Sequence, residues 1–187
     1  GTSALHCAIA ACAQEGEEVI TTPYTFTATG SAVLMNNSIP VFADVVERTY
    51  NIDPKQVEKQ VTYKTKAIIP VHLLGLPAEM SEIKEIAERH NLRIIEDCAQ
   101  SPGARYKEKL VGTIGDLACF SFVETKNMFT GEGGMVLTNN EELAERCRLV
   151  RNHGEAYALG KPRSYLSKIL GWNYRMTELH AAIGVEQ

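Results

Sequence analysis

The sequence predicts an α/β fold on a mostly parallel sheet flanked by helices, a three-layer α/β/α arrangement. Three observations lead there. Apolar, β-branched runs alternate with helix-period stretches along most of the 187 residues, the pattern of a doubly wound sheet. Several of those runs are apolar at successive positions, as in strands covered on both faces. The stretch Glu79–His90 sets Met80, Ile83, Ile86 and Ala87 at helical spacing, with charges on the opposite side.

Strands are expected at Glu18–Thr21, Pro40–Ala43, Ala67–Val71, Leu92–Glu96, Leu117–Phe120 and Met135–Thr138. Between them helices are expected at Ser3–Ala13, Phe26–Met35, Pro54–Gln60, Glu79–His90 and Glu141–Val150. The Gly- and Pro-bearing segment Glu155–Tyr165 reads as a loop leading to a last helix near Met176–Val185. Gly1-Thr2-Ser3 opens straight into a helical pattern and Gln187 stops inside another, so both ends are expected to be cut from a longer chain. Residues 1–187 are expected to form one domain, incomplete at both ends.

Composition narrows the class of function. With 44% hydrophobic and 22% charged residues the chain is ordinary for a globular protein. A net charge of -4 and scattered lysines and arginines argue against nucleic acid and against a cationic membrane-binding helix. No apolar run reaches the roughly 18 residues of a membrane span, and no signal peptide is evident. The five cysteines are odd in number and lack CxxC spacing, which favours reduced thiols in the cytoplasm. The histidines show no ligand spacing, so no metal site is expected.

In open α/β sheets ligands bind beyond the carboxyl ends of the strands. Two groups fall there. Asp97 follows the apolar run Leu92-Arg93-Ile94-Ile95 and Glu96, and Lys126 follows the strand Leu117–Phe120 and precedes Gly131-Glu132-Gly133-Gly134. An acid and an amine so placed suit pyridoxal phosphate: the carboxylate keeps the pyridine nitrogen protonated, and the lysine forms the Schiff base. Each also has an ordinary reading, Asp97 as a cap and Lys126 as a surface lysine with its stem along the sheet. Gly1-Thr2-Ser3 ahead of a helix fits a phosphate, although Thr and Ser also cap helices. Phe26 fits a core position as readily as a ring platform. Neither GxSxG nor GxxxxGK[ST] occurs, and Gly131–Gly134 does not match a dinucleotide fingerprint.

The ordered set of segments resembles the DegT/DnrJ/StrS family of pyridoxal phosphate-dependent sugar-nucleotide aminotransferases. It comprises Gly1-Thr2-Ser3-Ala4-Leu5, Pro23-Tyr24-Thr25-Phe26-Thr27-Ala28-Thr29, Tyr50-Asn51-Ile52-Asp53-Pro54 and His72-Leu73-Leu74-Gly75-Leu76-Pro77-Ala78. It continues with Glu96-Asp97-Cys98-Ala99-Gln100, Gly115–Phe122, Thr125-Lys126-Asn127, Arg151-Asn152-His153-Gly154 and Gly171–Leu179. The resemblance implies a fold-type I large domain, with the family's small C-terminal domain lying beyond this chain.

It also implies roles. Lys126 is the Schiff-base lysine and proton shuttle, Asp97 the partner of the pyridine nitrogen, and Gln100 the neighbour of the ring hydroxyl. Thr2, Ser3 and Ser121 hold the phosphate, Phe26 stacks on the ring, and Asn173 reaches the phosphate of a neighbouring subunit in a homodimer with shared sites. The implied reaction is ping-pong transfer of an amino group, with glutamate as donor and a nucleotide-linked keto sugar as acceptor. His180 departs from the family's glutamine, and Val123-Glu124 from its more usual residues ahead of Thr-Lys. Two alternatives stand beside this: a dehydratase of the same family, in which histidine replaces the lysine, and a pyridoxal phosphate-binding chain without turnover.

Overall fold

The structure is a computed structural model and describes residues 1–156, 160 and 165–187. Its main sheet has six strands: β1 (Glu18–Thr21), β2 (Ile39–Phe42), β3 (Thr65–Ile69), β4 (Arg93–Asp97), β7 (Leu117–Ser121) and β8 (Gly134–Leu137), in the order β2-β1-β3-β4-β7-β8. Every neighbouring pair is parallel except β7 and β8, which run antiparallel. Among the described residues six α-helices accompany them: α1 (Thr2–Cys12), α2 (Ala28–Met35), α3 (Pro54–Gln60), α4 (Met80–His90), α5 (Glu141–Arg151) and α6 (Glu178–Val185).

Alternation along the strands divides the core between the two faces of the sheet. Val19, Ala67, Ile69, Ile95, Leu117 and Cys119 join Ala4, Leu5, Ala8 and Ile9 of α1, Ala32 and Val33 of α2, and Leu143 and Cys147 of α5. The intervening Ile20, Ile68 and Ile94 join Val57 of α3 and Met80, Ile83 and Ile86 of α4. This period of two is what a pleated strand imposes, and helices on both faces make it a three-layer fold. The strands and helices lie within two residues of the expected bounds.

Local chemistry sets several ends. Asp53 accepts the Lys55 N–H at 2.9 Å and Pro54 opens α3, while Asn140 accepts the Leu143 N–H at 3.0 Å to start α5. α4 stops at Asn91 in the left-handed region (φ 53°). Two features were not expected: a short helical turn at Leu73–Gly75 and a hairpin of β5 (Arg105–Tyr106) with β6 (Lys109–Leu110). The loop expected over Glu155–Tyr165 lies largely outside the described residues. Cys7, Cys98, Cys119 and Cys147 are buried thiols, and burial pushes Cys7 and Cys12 up to about 12. Among the described residues no helix is long and apolar enough to cross a membrane.

Candidate active site

β4 ends on two acids that alternate across the pleat, and the sheet treats them differently. Glu96 is fully buried. Its carboxylate accepts from His72 Nε2 (2.9 Å) and from the backbone N–H groups of Gly112, Ile114 and Gly115 (2.8, 2.8 and 2.7 Å). Burial favours its proton, but the His72 bond and the three N–H groups outweigh it and hold the carboxyl below its usual range. His72 Nδ1 accepts the Ala78 N–H at 3.1 Å, so Nε2 carries the proton toward Glu96. His72, Glu96 and Cys98 cluster closely enough to suggest a metal, yet both nitrogens of His72 and both oxygens of Glu96 are already hydrogen-bonded. This set is a structural brace joining the ends of β3 and β4 to the loop before β7.

Asp97 is 4% exposed, and it hangs from that brace. Its N–H donates to Pro70 O (2.9 Å), and its carbonyl accepts the His72 N–H (3.1 Å). Its carboxylate accepts from Thr29 Oγ1 (2.9 Å) and from the Ala99 N–H (3.1 Å). Burial dominates here and pushes the carboxyl above its usual range, opposed by the Ala99 and Thr29 hydrogen bonds, by the field of His72 and by the charge of Lys126. Among the described residues no cationic nitrogen is hydrogen-bonded to this buried carboxylate, whose two donors are a hydroxyl and a backbone N–H. A protonated ring nitrogen supplies one.

The phosphate end is built from α1 and β7. The N-cap of α1 is Gly1, which has no side chain to cap with, so Thr2 and Ser3 sit inside the first turn and are not its N-cap. The first-turn N–H groups and the helix dipole are therefore left without a side-chain cap, an arrangement that favours an anion. A Cβ on Gly1 would fall 2.8 Å from Ser121 Cβ and 3.0 Å from its Oγ, so glycine lets the helix end close on the Ser121 hydroxyl. The Gly1 nitrogen donates to Gly133 O at 2.8 Å, which ties the glycine turn to the same point. A cavity of about 740 Å³ opens beside this turn and is lined by Thr2, Ser3, Gly133 and Asn173 among others. Asp97, Gln100, Lys126 and Phe26 lie outside that cavity.

The remaining candidates sit on connections leaving the carboxyl ends of strands. Lys126 is half-buried in the turn after β7, its N–H bonded to Val123 O at 2.9 Å, and its charge acts on Asp97. Gln100 Oε1 accepts the Leu74 N–H at 2.9 Å, so the group it can offer a ligand is its NH₂. Phe26 is 70% exposed, which removes the core reading and suits a stacking platform. Trp172 and Tyr174 pack against α1, and the intervening Asn173 pairs its backbone with Asn152. The donor set therefore fits pyridoxal phosphate: hydroxyls and helix N–H groups at one end, a carboxylate at the other, an amine between strands. Sequence reasoning missed Thr29, Thr25, His72 and Glu96. A buried acid inside Ile94-Ile95-Glu96 was the only hint of the brace.

The DegT/DnrJ/EryC1/StrS aminotransferase family matches residues 1–187. The chain belongs to that family. It is 50% identical over 185 residues to a pleiotropic regulatory protein of Geobacillus stearothermophilus, covering 98% of this chain and 48% of that protein. It is 44% identical over 188 residues to a GDP-perosamine synthase of Escherichia coli O157:H7, covering 100% and 50%. Among solved structures, DesV of S. venezuelae superposes with a TM-score of 0.90 at 39% identity, covering 99% of this chain and 49% of that one. NtdA of Bacillus subtilis, with bound cofactor PMP, superposes with a TM-score of 0.88 at 34% identity, covering 99% and 41%. The chain thus spans about half the length of the relatives it matches. The fold is that of fold-type I pyridoxal phosphate aminotransferases.

Proposed function

We propose that the protein is a pyridoxal phosphate-dependent aminotransferase that moves an amino group, with glutamate as donor, onto a nucleotide-linked keto sugar. The observation that carries this is Asp97, a buried carboxylate with no cation hydrogen-bonded to it among the described residues, at the tip of β4 beside β7, whose tip brings Ser121 to the glycine-closed first turn of Gly1 and Thr2. When bound, the cofactor supplies a carbonyl for amine exchange and an electron-withdrawing ring that stabilises charge at the carbon losing a proton.

The chain's own groups do the rest. Thr2, Ser3 and Ser121 hold the phosphate with the α1 dipole behind them. Asp97 holds the proton on the ring nitrogen, and the Gln100 NH₂ orients the ring hydroxyl. Phe26 covers one face of the ring and excludes water from it. Lys126 Nζ would hold the cofactor through its carbonyl and, as a free amine, would serve as the base that moves the proton. Asn173 completes the phosphate site of a neighbouring subunit in a cytoplasmic homodimer, which makes the active site a shared one. Lys126 also separates this reading from dehydration, whose enzymes in this family carry histidine there.

The test is a half-reaction on the intact protein. Glutamate added without acceptor is expected to bleach the visible band of the bound cofactor and release 2-oxoglutarate in stoichiometric amount. A band untouched by glutamate or glutamine contradicts the proposed donor chemistry.

A further inference from the structure

Two threonines flank Phe26, and both lead to Asp97. Thr29 Oγ1 donates to Asp97 Oδ2 at 2.9 Å, and Thr25 Oγ1 lies 3.0 Å from Thr29 Oγ1. A hydroxyl has one proton. Thr29 gives its proton to Asp97, so in the Thr25–Thr29 contact Thr29 accepts and Thr25 donates. The direction is therefore fixed, from Thr25 through Thr29 to Asp97, and hydroxyls in series polarise one another in a buried site. Thr29 is 1% exposed, so water does not compete for its hydroxyl. The other oxygen of Asp97 takes the Ala99 N–H. The carboxylate is thereby fixed in rotation, with lone pairs left for a cationic N–H.

We infer that Thr29, with Thr25 behind it, is a positioning residue for the cofactor's ring nitrogen: it keeps Asp97 charged, fixes its carboxylate plane, and ties that plane to the segment carrying Phe26. The inference rests on the pyridoxal phosphate reading above and extends it. One short segment then sets both the edge of the ring, through Asp97, and its face, through Phe26.

The charged or titratable groups acting on Asp97 are His72 after β3, Lys126 after β7, Cys119 within β7 and neighbouring Cys98. Of these only His72 and Lys126 lower its proton affinity enough to stand with the Ala99 and Thr29 donors. Loss of the Thr29 donor therefore makes Asp97 harder to ionise, and the acid limb of cofactor binding moves to higher pH.

The experiment compares Thr29→Val, which keeps the shape and removes the hydroxyl, with Thr29→Ser, which keeps the hydroxyl and removes the methyl. Pyridoxal phosphate affinity is read by absorbance titration across pH on the intact protein, with thermal unfolding of each cofactor-free variant alongside. Thr29→Val is expected to bind about tenfold or more weakly, as loss of a hydrogen bond to a charged group implies. Its acid limb moves upward, whereas Thr29→Ser stays within about threefold of wild type with an unmoved limb. Thr25→Val shifts in the same direction by less. Wild-type affinity and pH profile in Thr29→Val overturn the inference, and so does a loss in Thr29→Ser as large as that in Thr29→Val, which makes packing the cause. Wild-type protein that takes up no pyridoxal phosphate overturns the parent reading, and the inference falls with it.

Discussion

Adjacent acids with opposite proton affinities mark the site at the residue scale. Glu96 is held below the ordinary carboxyl range, so in its window the unfolded chain binds more protons. Its contribution to stability is complete above the unfolded value, about 4.3, and is lost as pH falls through the folded value. Asp97 is held above the ordinary range, so the native state binds more protons. Stability falls as pH rises from its unfolded value, about 3.9, through the folded one. Asp97→Asn removes that cost and keeps the hydrogen bonds: Oδ1 accepts the Ala99 N–H, and the amide donates to Thr29, which turns its proton to Thr25. Urea unfolding of the cofactor-free protein is therefore expected to show Asp97→Asn more stable than wild type at neutral pH, the gain vanishing below about pH 4. Cofactor affinity is lost, a trade between stability and function. A wild type more stable than the variant at neutral pH contradicts this. The placement of Asp97 and Lys126 at the carboxyl ends of strands was legible in the sequence because both follow apolar runs. Thr29 was not, because a threonine in the first turn of a helix carries no mark of what it faces across 68 residues of chain.

At the scale of elements, patterning carried furthest where burial is regular. The α4 stripe and the two-faced strands appear where the periodicity put them, since both are set by which side chains must leave water. The hairpin of β5 and β6 was invisible for a local reason. Its strands are two residues each, and the positive φ in its turn belongs to Lys107 (51°) and not to a Gly or Asn that would announce it. The Leu73–Gly75 turn likewise puts Leu74 at φ 51°, held from outside by Asn51, which accepts the Leu73 N–H, and by Gln100. Glycine at 134 has a different cause. A Cβ there would lie 3.0 Å from both the Gly1 nitrogen and Phe120 O, which are backbone atoms that cannot step aside. Gly134→Ala is expected to destabilise the protein by about 1–3 kcal/mol and to weaken cofactor binding, because α1 and β8 must part. Thermal unfolding and absorbance titration check the two effects. A variant that unfolds as wild type shows the junction to be slack.

Among the described residues the main sheet has six strands with a core on each face, and the candidate site residues gather at one end of the strands. α1 is central to that design: packed against the sheet, α2 and α5, it brings its first turn to Ser121 at the tip of β7. Two strands further apart in sequence, β4 and β7, are neighbours in the sheet, which brings the connections carrying Asp97 and Lys126 out at adjacent strand ends. The fold and family were legible because an ordered set of short segments spans the chain. The bracing of Asp97 was not, since it depends on contacts between segments that only the folded sheet brings together. The central claim is that Lys126 and Asp97 grip one cofactor. Borohydride reduction of the intact protein loaded with pyridoxal 5'-phosphate, followed by peptide mapping, tests it most directly. The account predicts a single pyridoxyl label on Lys126, absent in Lys126→Ala. A label on another lysine, or none in wild type, contradicts it.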